Sequence, residues 1–337
     1  MSLTSLNVLN TVNLKSALTI LSRIFTWLSF GRISRDRPVV LRIEITNRCN
    51  LQCLMCDRKA LTRPSADMGM DLFARIIDAA AAAGIETIGL NRFGEPTLHP
   101  RLVGMVQYAK AKGIKHVSFV TNGTMMTDDL SRALIQSQCL DGIAFSVDGN
   151  TPGTYNRIRV GADFQNVVGN IENFIRIRNT GGFSKPSIQI NTILMKDTED
   201  ELDETISRWR DSVDRVWVIP LMQYGGLTDI RAGMFRKGGD GRHRNACPQL
   251  AYMLVAFVDG SAGVCCIGDP NEELKIGDFN TQSLCEIWNG SAVEQVRQRH
   301  LCRDFSSLPP CARCDLTAPL SHWISHYLRL WCRRLHG

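Results

Sequence analysis

Between residue 39 and about residue 220, short apolar runs rich in β-branched residues alternate with segments whose apolar residues recur at helical spacing. The pattern predicts six strands, over Val39–Ile45, Thr87–Asn91, His116–Thr121, Gly142–Val147, Ser187–Leu194 and Arg215–Ile219. It predicts helices over Leu72–Ala83, Arg101–Lys112, Asp128–Gln138, Phe164–Arg178 and Glu199–Trp209. Strands and helices in alternation are typical of an α/β fold with a parallel sheet and right-handed crossovers, here curled toward a barrel.

Four segments fall outside this alternation and set the expected domain boundaries. Residues 39–222 form the barrel, residues 223–246 are Gly-rich and basic like a linker, and residues 247–316 form a small second domain. Residues 1–38 and 317–337 repeat apolar residues at helical spacing and carry an excess of basic residues, which predicts basic amphipathic helices. Such helices often lie in a membrane interface, although packing on the barrel or on a partner subunit explains them equally well.

Charge and hydropathy narrow the class of protein. The net charge of +6 over 337 residues comes from the two ends, so the long middle is close to neutral and no nucleic-acid-binding surface is expected. Neither end is apolar enough to span a bilayer, and no cleavable secretory signal is evident. We therefore expect a cytoplasmic protein, peripheral at the inner face of the membrane if its ends bind lipid. In a reducing cytosol, clustered cysteines indicate metal rather than disulfides.

The cysteines carry the candidate chemistry. Of the 12 in the chain, Cys49, Cys53 and Cys56 follow the first strand directly. A closed zinc site would need a fourth ligand, and no other Cys or His occurs before His99. Three thiolates without a local fourth suit an iron–sulfur cluster that keeps one iron open to an outside ligand. A zinc knuckle is the alternative.

This C-x3-C-x2-C spacing resembles the signature of the radical S-adenosylmethionine (SAM) enzymes. The resemblance implies a partial (β/α)6 barrel, a [4Fe–4S] cluster on the three cysteines, and SAM bound to the open iron through its amino and carboxylate groups. In parallel α/β sheets, ligands bind beyond the carboxyl ends of the strands. The cysteine loop falls at that edge, which agrees with the resemblance.

The ends of the following strands supply candidate SAM contacts. Gly94-Glu95-Pro96 is similar to the family's Gly-Gly-Glu motif, with Phe93 in place of the first glycine, and implies that Gly94 and Glu95 bind the methionyl amino group. By the same resemblance, Arg157 of Tyr155-Asn-Arg157-Ile-Arg159 pairs with the SAM carboxylate. The remaining candidates are Met55 beneath adenine, Asn122, Ser146 and Asn191, with Asp148 and Arg159 as weaker ones. Polar residues at strand ends also cap helices or make turns, and that reading stays open.

A second set of cysteines lies in the C-terminal part. Cys247, Cys265, Cys311 and Cys314 accompany a hairpin predicted at Asp259-Gly260, and together they resemble the SPASM/Twitch extension of radical SAM enzymes. The resemblance implies that these four thiolates hold one auxiliary [4Fe–4S] cluster, because a full SPASM domain needs further cysteines and none follows Cys314 until Cys332. A four-thiolate zinc site is the alternative.

The resemblance also implies a reaction. An electron from the first cluster splits SAM into methionine and a 5′-deoxyadenosyl radical, which removes a hydrogen atom from the substrate. The four-cysteine arrangement is similar to that of Twitch-type cyclitol dehydrogenases. We therefore expect an oxidoreductase acting on a sugar, cyclitol or similar polyol, lipid-linked if the ends bind membrane, with electrons from an external donor such as flavodoxin or ferredoxin. The alternatives are a sugar epimerase with Cys266 as hydrogen donor, a peptide-modifying enzyme of the same superfamily, and a non-catalytic iron–sulfur electron-transfer protein.

Overall fold

The computed structural model describes residues 37–221, 246–266, 268–312 and 314. The predictions for the two basic ends and for most of the linker therefore fall outside the described residues. Within the described part of the chain, no helix is both long and apolar enough to cross a membrane.

The six predicted strands are present and form the parallel sheet that the pattern indicates. Their bounds are β1 (Val40–Ile43), β2 (Thr87–Gly89), β3 (His116–Thr121), β4 (Gly142–Ser146), β5 (Ser187–Leu194) and β6 (Arg215–Pro220). Each strand pairs in parallel with the next along the chain. β1, β2 and β4 are shorter than predicted, because residues at their carboxyl ends leave the ladder and become the loops of the site.

Helices connect the strands and cover one face of the sheet. They are α1 (Met70–Ala82), α2 (Leu102–Ala111), α3 (Asp128–Gln136), α4 (Pro152–Ile158), α5 (Phe164–Thr180) and α6 (Leu202–Trp209). α1 buries Phe73, Ile76 and Ala80, a spacing that places all three on one side of a helix. These residues share a core with Leu41 and Ile43 of β1. The alternate residues of β1 therefore face the opposite, inner side of the sheet. The sequence pattern did not predict the short helix α4.

The C-terminal segment extends the same sheet. β7 (Met253–Ala256), β8 (Ser261–Gly263) and β9 (Lys275–Asp278) follow one another, with the predicted hairpin turn at Asp259-Gly260. Gly260 has φ of 93°, a conformation that favours glycine. β7 pairs in parallel with β1, which gives the strand order β6-β5-β4-β3-β2-β1-β7-β8-β9. The pattern did not indicate this pairing, which joins the auxiliary segment to the barrel sheet.

Three helices complete the C-terminal segment. They are α7 (Leu284–Asn289), α8 (Ser291–Leu301) and α9 (Pro309–Ala312). The helix that contains Trp288 is α7, which begins with a capping box between Ser283 and Glu286. Trp288 is fully buried in the same core as the barrel helices. The cysteines of the second set thus lie on a segment that packs on the barrel core.

Candidate active site and cluster sites

The first three cysteines lie in one loop, the triplet loop (residues 44–56), which follows β1. Hydrogen bonds hold it against the end of α4: Gln52 N–H donates to the Val160 carbonyl at 2.9 Å, and Leu54 N–H to the Ile158 carbonyl at 2.9 Å. Burial raises the pKa of the Cys49 and Cys56 thiols, and the nearby Cys53 raises both further. The three thiols therefore lie within electrostatic range of one another.

The segment after β2, the β2 loop (residues 90–95), lies directly against the triplet loop. A Cβ on Gly94 would lie 2.1 Å from the Thr46 carbonyl oxygen and 2.9 Å from that of Arg48, so only glycine fits there. Beside this contact, Glu95 N–H donates to the Arg48 carbonyl at 2.8 Å. Gly94 is therefore required where two backbones meet, next to the residues that carry the cysteines.

Glu95 is buried, and its carboxylate ties the ends of β2 and β3 together. It accepts from the hydroxyl of Thr121 at 2.6 Å, from the hydroxyl of Thr97 at 2.7 Å and from the backbone N–H of Asn122 at 2.7 Å. Burial raises the pKa of Glu95, and these hydrogen bonds oppose the shift. In the structure the carboxylate thus orders the strand ends, and its predicted contact with a SAM amino group stays a prediction.

Asn122 joins β3 to the triplet loop. Its side-chain oxygen accepts from Thr124 N–H at 2.9 Å, which makes an Asx-turn. Its side-chain nitrogen donates to Asn50 at 3.0 Å and lies 4.0 Å from Cys49 Sγ. Both readings of this residue, turn former and neighbour of the ligand site, therefore fit the geometry.

The structure separates the two arginines of the Tyr-x-Arg-Ile-Arg stretch. Arg157 pairs with Asp197 at 2.7 Å, and its side chain is 57% exposed. Arg159 is buried: its Nε donates to the Asp148 carboxylate at 2.7 Å, and its Nη1 lies 3.8 Å from Cys53 Sγ. Burial opposes the charge of Arg159, yet Asp148 and Cys53 raise the pKa of the guanidinium. The arginine that reaches Cys53 is thus the weaker of the two candidates, and the predicted pairing of Arg157 with a SAM carboxylate stays a prediction.

The remaining predicted contacts are Ser146 and Asn191, on neighbouring strands of the sheet, and Met55 in the triplet loop. Ser146 at the end of β4 is in register with Asn191 of β5, and both are half-buried. Met55 belongs to a small apolar cluster beside the cysteines, whose other buried members are Leu51, Cys53, Ile158 and Met195. These positions agree with the predicted adenosine side of a SAM site, and the roles themselves stay predictions.

The second set of cysteines also comes together. Burial raises the pKa of Cys247 well above its ordinary value, and the thiols of Cys314, Cys265 and Cys311 raise it further. Two hydrogen bonds order the ligands: Cys247 N–H donates to His300 Nδ1 at 3.2 Å, and Gly268 N–H donates to Cys265 Sγ at 3.2 Å. N–H···S bonds are common around iron–sulfur clusters and help to set their potentials. The donor set therefore fits a cluster of four thiolates.

Cys266 lies at the junction between this set and the barrel. Its thiol lies near the side chain of Gln249 and within electrostatic range of Arg42 and Arg92. Burial raises its pKa, and the two arginines oppose the shift. Arg42 alternates with the core residues Leu41 and Ile43, so it belongs to the inner side of the sheet. Cys266 thus adjoins the inner surface of the barrel. Its role as hydrogen donor stays a prediction.

Arg92 of the β2 loop is a residue that sequence reasoning missed. Its side chain is fully buried, and it donates to the carbonyls of Cys265 at 3.0 Å and Asp269 at 2.5 Å. The sequence feature that could have identified Arg92 is its position two residues before Gly94. An arginine in an apolar strand-end loop is expensive to bury unless it is paired.

Among the described residues, no three Cys, His, Asp or Glu side chains are close enough for a single metal ion.

Comparison with known proteins places these sites in a family. Residues 43–208 match the radical SAM superfamily, and residues 247–315 match an iron–sulfur cluster-binding domain, SPASM. A tungsten-containing aldehyde ferredoxin oxidoreductase cofactor-modifying protein of Pyrococcus furiosus is 34% identical over 166 residues, 49% of this chain and 46% of the relative. A GTP 3′,8-cyclase of Mannheimia succiniciproducens is 32% identical over 192 residues, 56% of this chain and 54% of the relative. The chain spans about half the length of these relatives.

Solved structures show the same fold. BtrN in complex with AdoMet and 2-DOIA has a TM-score of 0.56 and 15% identity over 82% of this chain and 92% of that protein. SuiB of Streptococcus suis bound to S-adenosylmethionine has a TM-score of 0.62 and 15% identity over 82% of this chain and 72% of that protein. The two matched domains imply SAM and two [4Fe–4S] clusters as cofactors. This chain therefore belongs to the radical SAM superfamily and carries a C-terminal iron–sulfur cluster-binding domain of the SPASM type.

Proposed function

We propose that this chain oxidises a sugar, a cyclitol or a similar small polyol by radical SAM chemistry, with the auxiliary cluster as electron acceptor. The observation that carries the proposal is that one short loop touches both cluster sites. In the β2 loop, Gly94 contacts the backbone of the triplet loop, and Arg92, two residues earlier, donates to the carbonyl of Cys265. A substrate on the inner side of the sheet would therefore lie near both sites.

The polar inner side of the sheet supports a hydroxyl-rich substrate. Gln189, Asn191 and Ser146 face this side, as the alternating burial of β5 and the β4–β5 register indicate. Gly89, Ser118 and Gly142 are in register on neighbouring strands, and the side chain of Arg42 occupies the space beside Gly89. Amide and hydroxyl groups suit sugar hydroxyls because each both donates and accepts hydrogen bonds.

The atoms and electrons of the proposed oxidation balance. When bound, SAM and the clusters supply a 5′-deoxyadenosyl radical and a site for one electron. The alcohol loses a hydrogen atom from carbon to that radical, a proton from oxygen to solvent and one electron to the auxiliary site, and becomes a carbonyl. The chain holds the substrate carbon beside the adenosyl group and excludes water. An external donor of the flavodoxin or ferredoxin type would supply the starting electron.

Epimerisation is the second candidate function, and the placement of Cys266 favours it. A thiol at the edge of the inner surface could return a hydrogen atom to a substrate radical. The thiyl radical formed would then take one electron from the reduced auxiliary site and one proton from solvent. A reaction in deuterated buffer distinguishes the two outcomes. Epimerisation places solvent deuterium on the product carbon, because the hydrogen of the Cys266 thiol exchanges with solvent, whereas oxidation adds no hydrogen to that carbon.

The first test is production of 5′-deoxyadenosine by the anaerobically reconstituted chain with dithionite and SAM. We expect the yield to rise with a polyol from a panel that also contains GTP, because curated relatives are GTP 3′,8-cyclases. The product should be a carbonyl compound without solvent deuterium. A product that retains deuterium at carbon would instead support the epimerase, and no 5′-deoxyadenosine under any condition would refute both.

The auxiliary cluster has its own prediction. The reconstituted chain should hold about eight irons, and Cys314→Ala should lose up to about four of them because one of four thiolates is missing. Cys139→Ala is the matched control, since Cys139 donates to the Ser137 carbonyl at 3.0 Å and belongs to neither set. Iron and sulfide analysis with electron paramagnetic resonance (EPR) measures the result. About four irons in the unsubstituted chain would contradict the prediction.

A further inference from the structure

The guanidinium of Arg92 joins the barrel to the auxiliary ligand turn, whose described residues are Cys265, Cys266, Gly268 and Asp269. Nη2 donates to the carbonyls of Cys265 and Asp269, at 3.0 and 2.5 Å, and Nε lies 3.3 Å from the Cys265 carbonyl. The group lies over the rings of Phe93 and Phe257, at 4.3 and 4.4 Å from their centroids. Its side chain has no solvent exposure. Nε and Nη2 of the planar guanidinium thus hold the carbonyls of Cys265 and Asp269 together.

The turn that Arg92 holds carries a hydrogen bond to a cluster ligand. Gly268 N–H donates to Cys265 Sγ at 3.2 Å. The buried carboxylate of Asp269 accepts from the N–H groups of Glu273 at 2.7 Å and Leu274 at 2.9 Å, which anchors the far end of the turn. Asp269 adjoins Gly268, so the bonds to its carbonyl and to its carboxylate restrain the backbone that carries the Gly268 N–H.

The charge of Arg92 is only partly balanced. The nearest carboxylate belongs to Glu44, whose Oε1 lies 3.7 Å from Nη1 of Arg92. Both oxygens of Glu44 are already bound by Arg63, at 3.0 and 2.9 Å. Nη1 of Arg92 is buried without a hydrogen-bond partner among the described residues. A positive charge in a buried, low-dielectric site acts strongly on its neighbours, and here the neighbour is a cluster ligand.

From these contacts we infer that Arg92 is a positioning residue that raises the reduction potential of the auxiliary cluster. Its charge favours the reduced, more negative cluster, and its fork keeps the Gly268 N–H on the Cys265 sulfur, which acts in the same direction. A higher potential makes the cluster a better electron acceptor for a substrate radical. The inference rests on the auxiliary cluster and not on the substrate, so it can fail while the proposed oxidation stands.

The test is the midpoint potential of the auxiliary cluster in the reconstituted full-length chain. Cys49→Ala, Cys53→Ala and Cys56→Ala together remove the first cluster, so EPR during a redox titration reports only the second. The comparison is made at the potential where the chain with only the three cysteine substitutions has half of its auxiliary cluster reduced. At that potential, we expect Arg92→Gln to lower the ratio of reduced to oxidised cluster about tenfold. For a one-electron couple this equals a midpoint about 59 mV more negative. Arg132→Gln, on the exposed face of α3, is the control and should leave the midpoint unchanged.

Arg92→Lys separates charge from geometry. Lysine keeps the positive charge but cannot bind two carbonyls as a rigid fork, so we expect a smaller negative shift than for glutamine. If Arg92→Gln does not retain the cluster, the lysine variant carries the test, and a midpoint below that of the control supports the inference. The inference is overturned if Arg92→Gln has the same midpoint potential as Arg132→Gln. If Arg92→Gln does not retain the cluster, it is overturned if Arg92→Lys has that midpoint potential.

Discussion

Replacing Gly94 with alanine is expected to lower the yield of 5′-deoxyadenosine about 100-fold. The new methyl group would lie 2.1 Å from the Thr46 carbonyl oxygen. The methyl carbon is attached directly to one backbone and the oxygen belongs to another, so no side-chain rotation can separate them. Either the β2 loop or the triplet loop must shift, and the hydrogen bond from Glu95 N–H to the Arg48 carbonyl would break. Displacements of about 1 Å in groups that position reactants can cost about 100-fold in rate.

Gly104→Ala is the matched control for this substitution. Gly104 lies inside α2, and a Cβ there would have no atom within 4 Å. Alanine in place of glycine at an exposed helix position should stabilise the fold by about 0.5–1 kcal/mol and leave SAM cleavage unchanged. Product is measured by chromatography, and iron analysis shows whether Gly94→Ala still assembles the first cluster. Unaltered product and iron in Gly94→Ala would contradict the close approach that the structure shows.

The second large effect is expected from Asp148→Asn, which should destabilise the reconstituted protein by about 3 kcal/mol. Asp148 is fully buried and forms an ion pair with Arg159, while its other oxygen accepts from Ile193 N–H at 2.6 Å. Asparagine keeps the shape but leaves the buried guanidinium without a counter-charge, and breaking a buried pair in this way typically costs about 3–5 kcal/mol. A fall in the thermal midpoint of several degrees measures the effect.

Asp197→Asn removes the partner of the neighbouring arginine and serves as the control. Arg157 is 57% exposed in this pair, so solvent screens the interaction. Pairs of this kind contribute at most about 1 kcal/mol. The two variants should therefore differ clearly in thermal midpoint, although both replace an aspartate paired with an arginine. Equal midpoints would show that Arg159 does not depend on Asp148 for its charge balance.

Much of the barrel and both cysteine sets could be predicted from the sequence because their signals are local. β-rich runs such as His116–Thr121 alternate with helical spacing, and all six strands are present. C-x3-C-x2-C lies within a single loop, so its spacing already fixes that the three thiols are close. Asp259-Gly260 predicts a hairpin because a tight turn needs residues of this type.

The features that could not be predicted depend on contacts between distant parts of the chain. Sequence reasoning preferred Arg157 to Arg159, yet the side chains are two residues apart and only the orientation of α4 decides which one reaches Cys53. Glu95 is predicted to bind the SAM amino group, and the sequence did not indicate that Thr121 and Asn122 of the next strand also bind its carboxylate. Arg92 carried no recognisable motif, and its partners at Cys265 and Asp269 lie more than 170 residues away.

The pairing of β7 with β1 has a consequence for attempts to isolate the barrel. β1 lies between β2 and β7, with Val40 opposite Met253 and Ile43 opposite Ala256. A fragment that ends before the auxiliary segment would leave the N–H and C=O groups along one side of β1 without partners, immediately before the triplet loop. Unprotected edges of apolar strands recruit other chains and aggregate. The SAM-binding half should therefore not survive as a separate soluble module, even though its family match ends at residue 208.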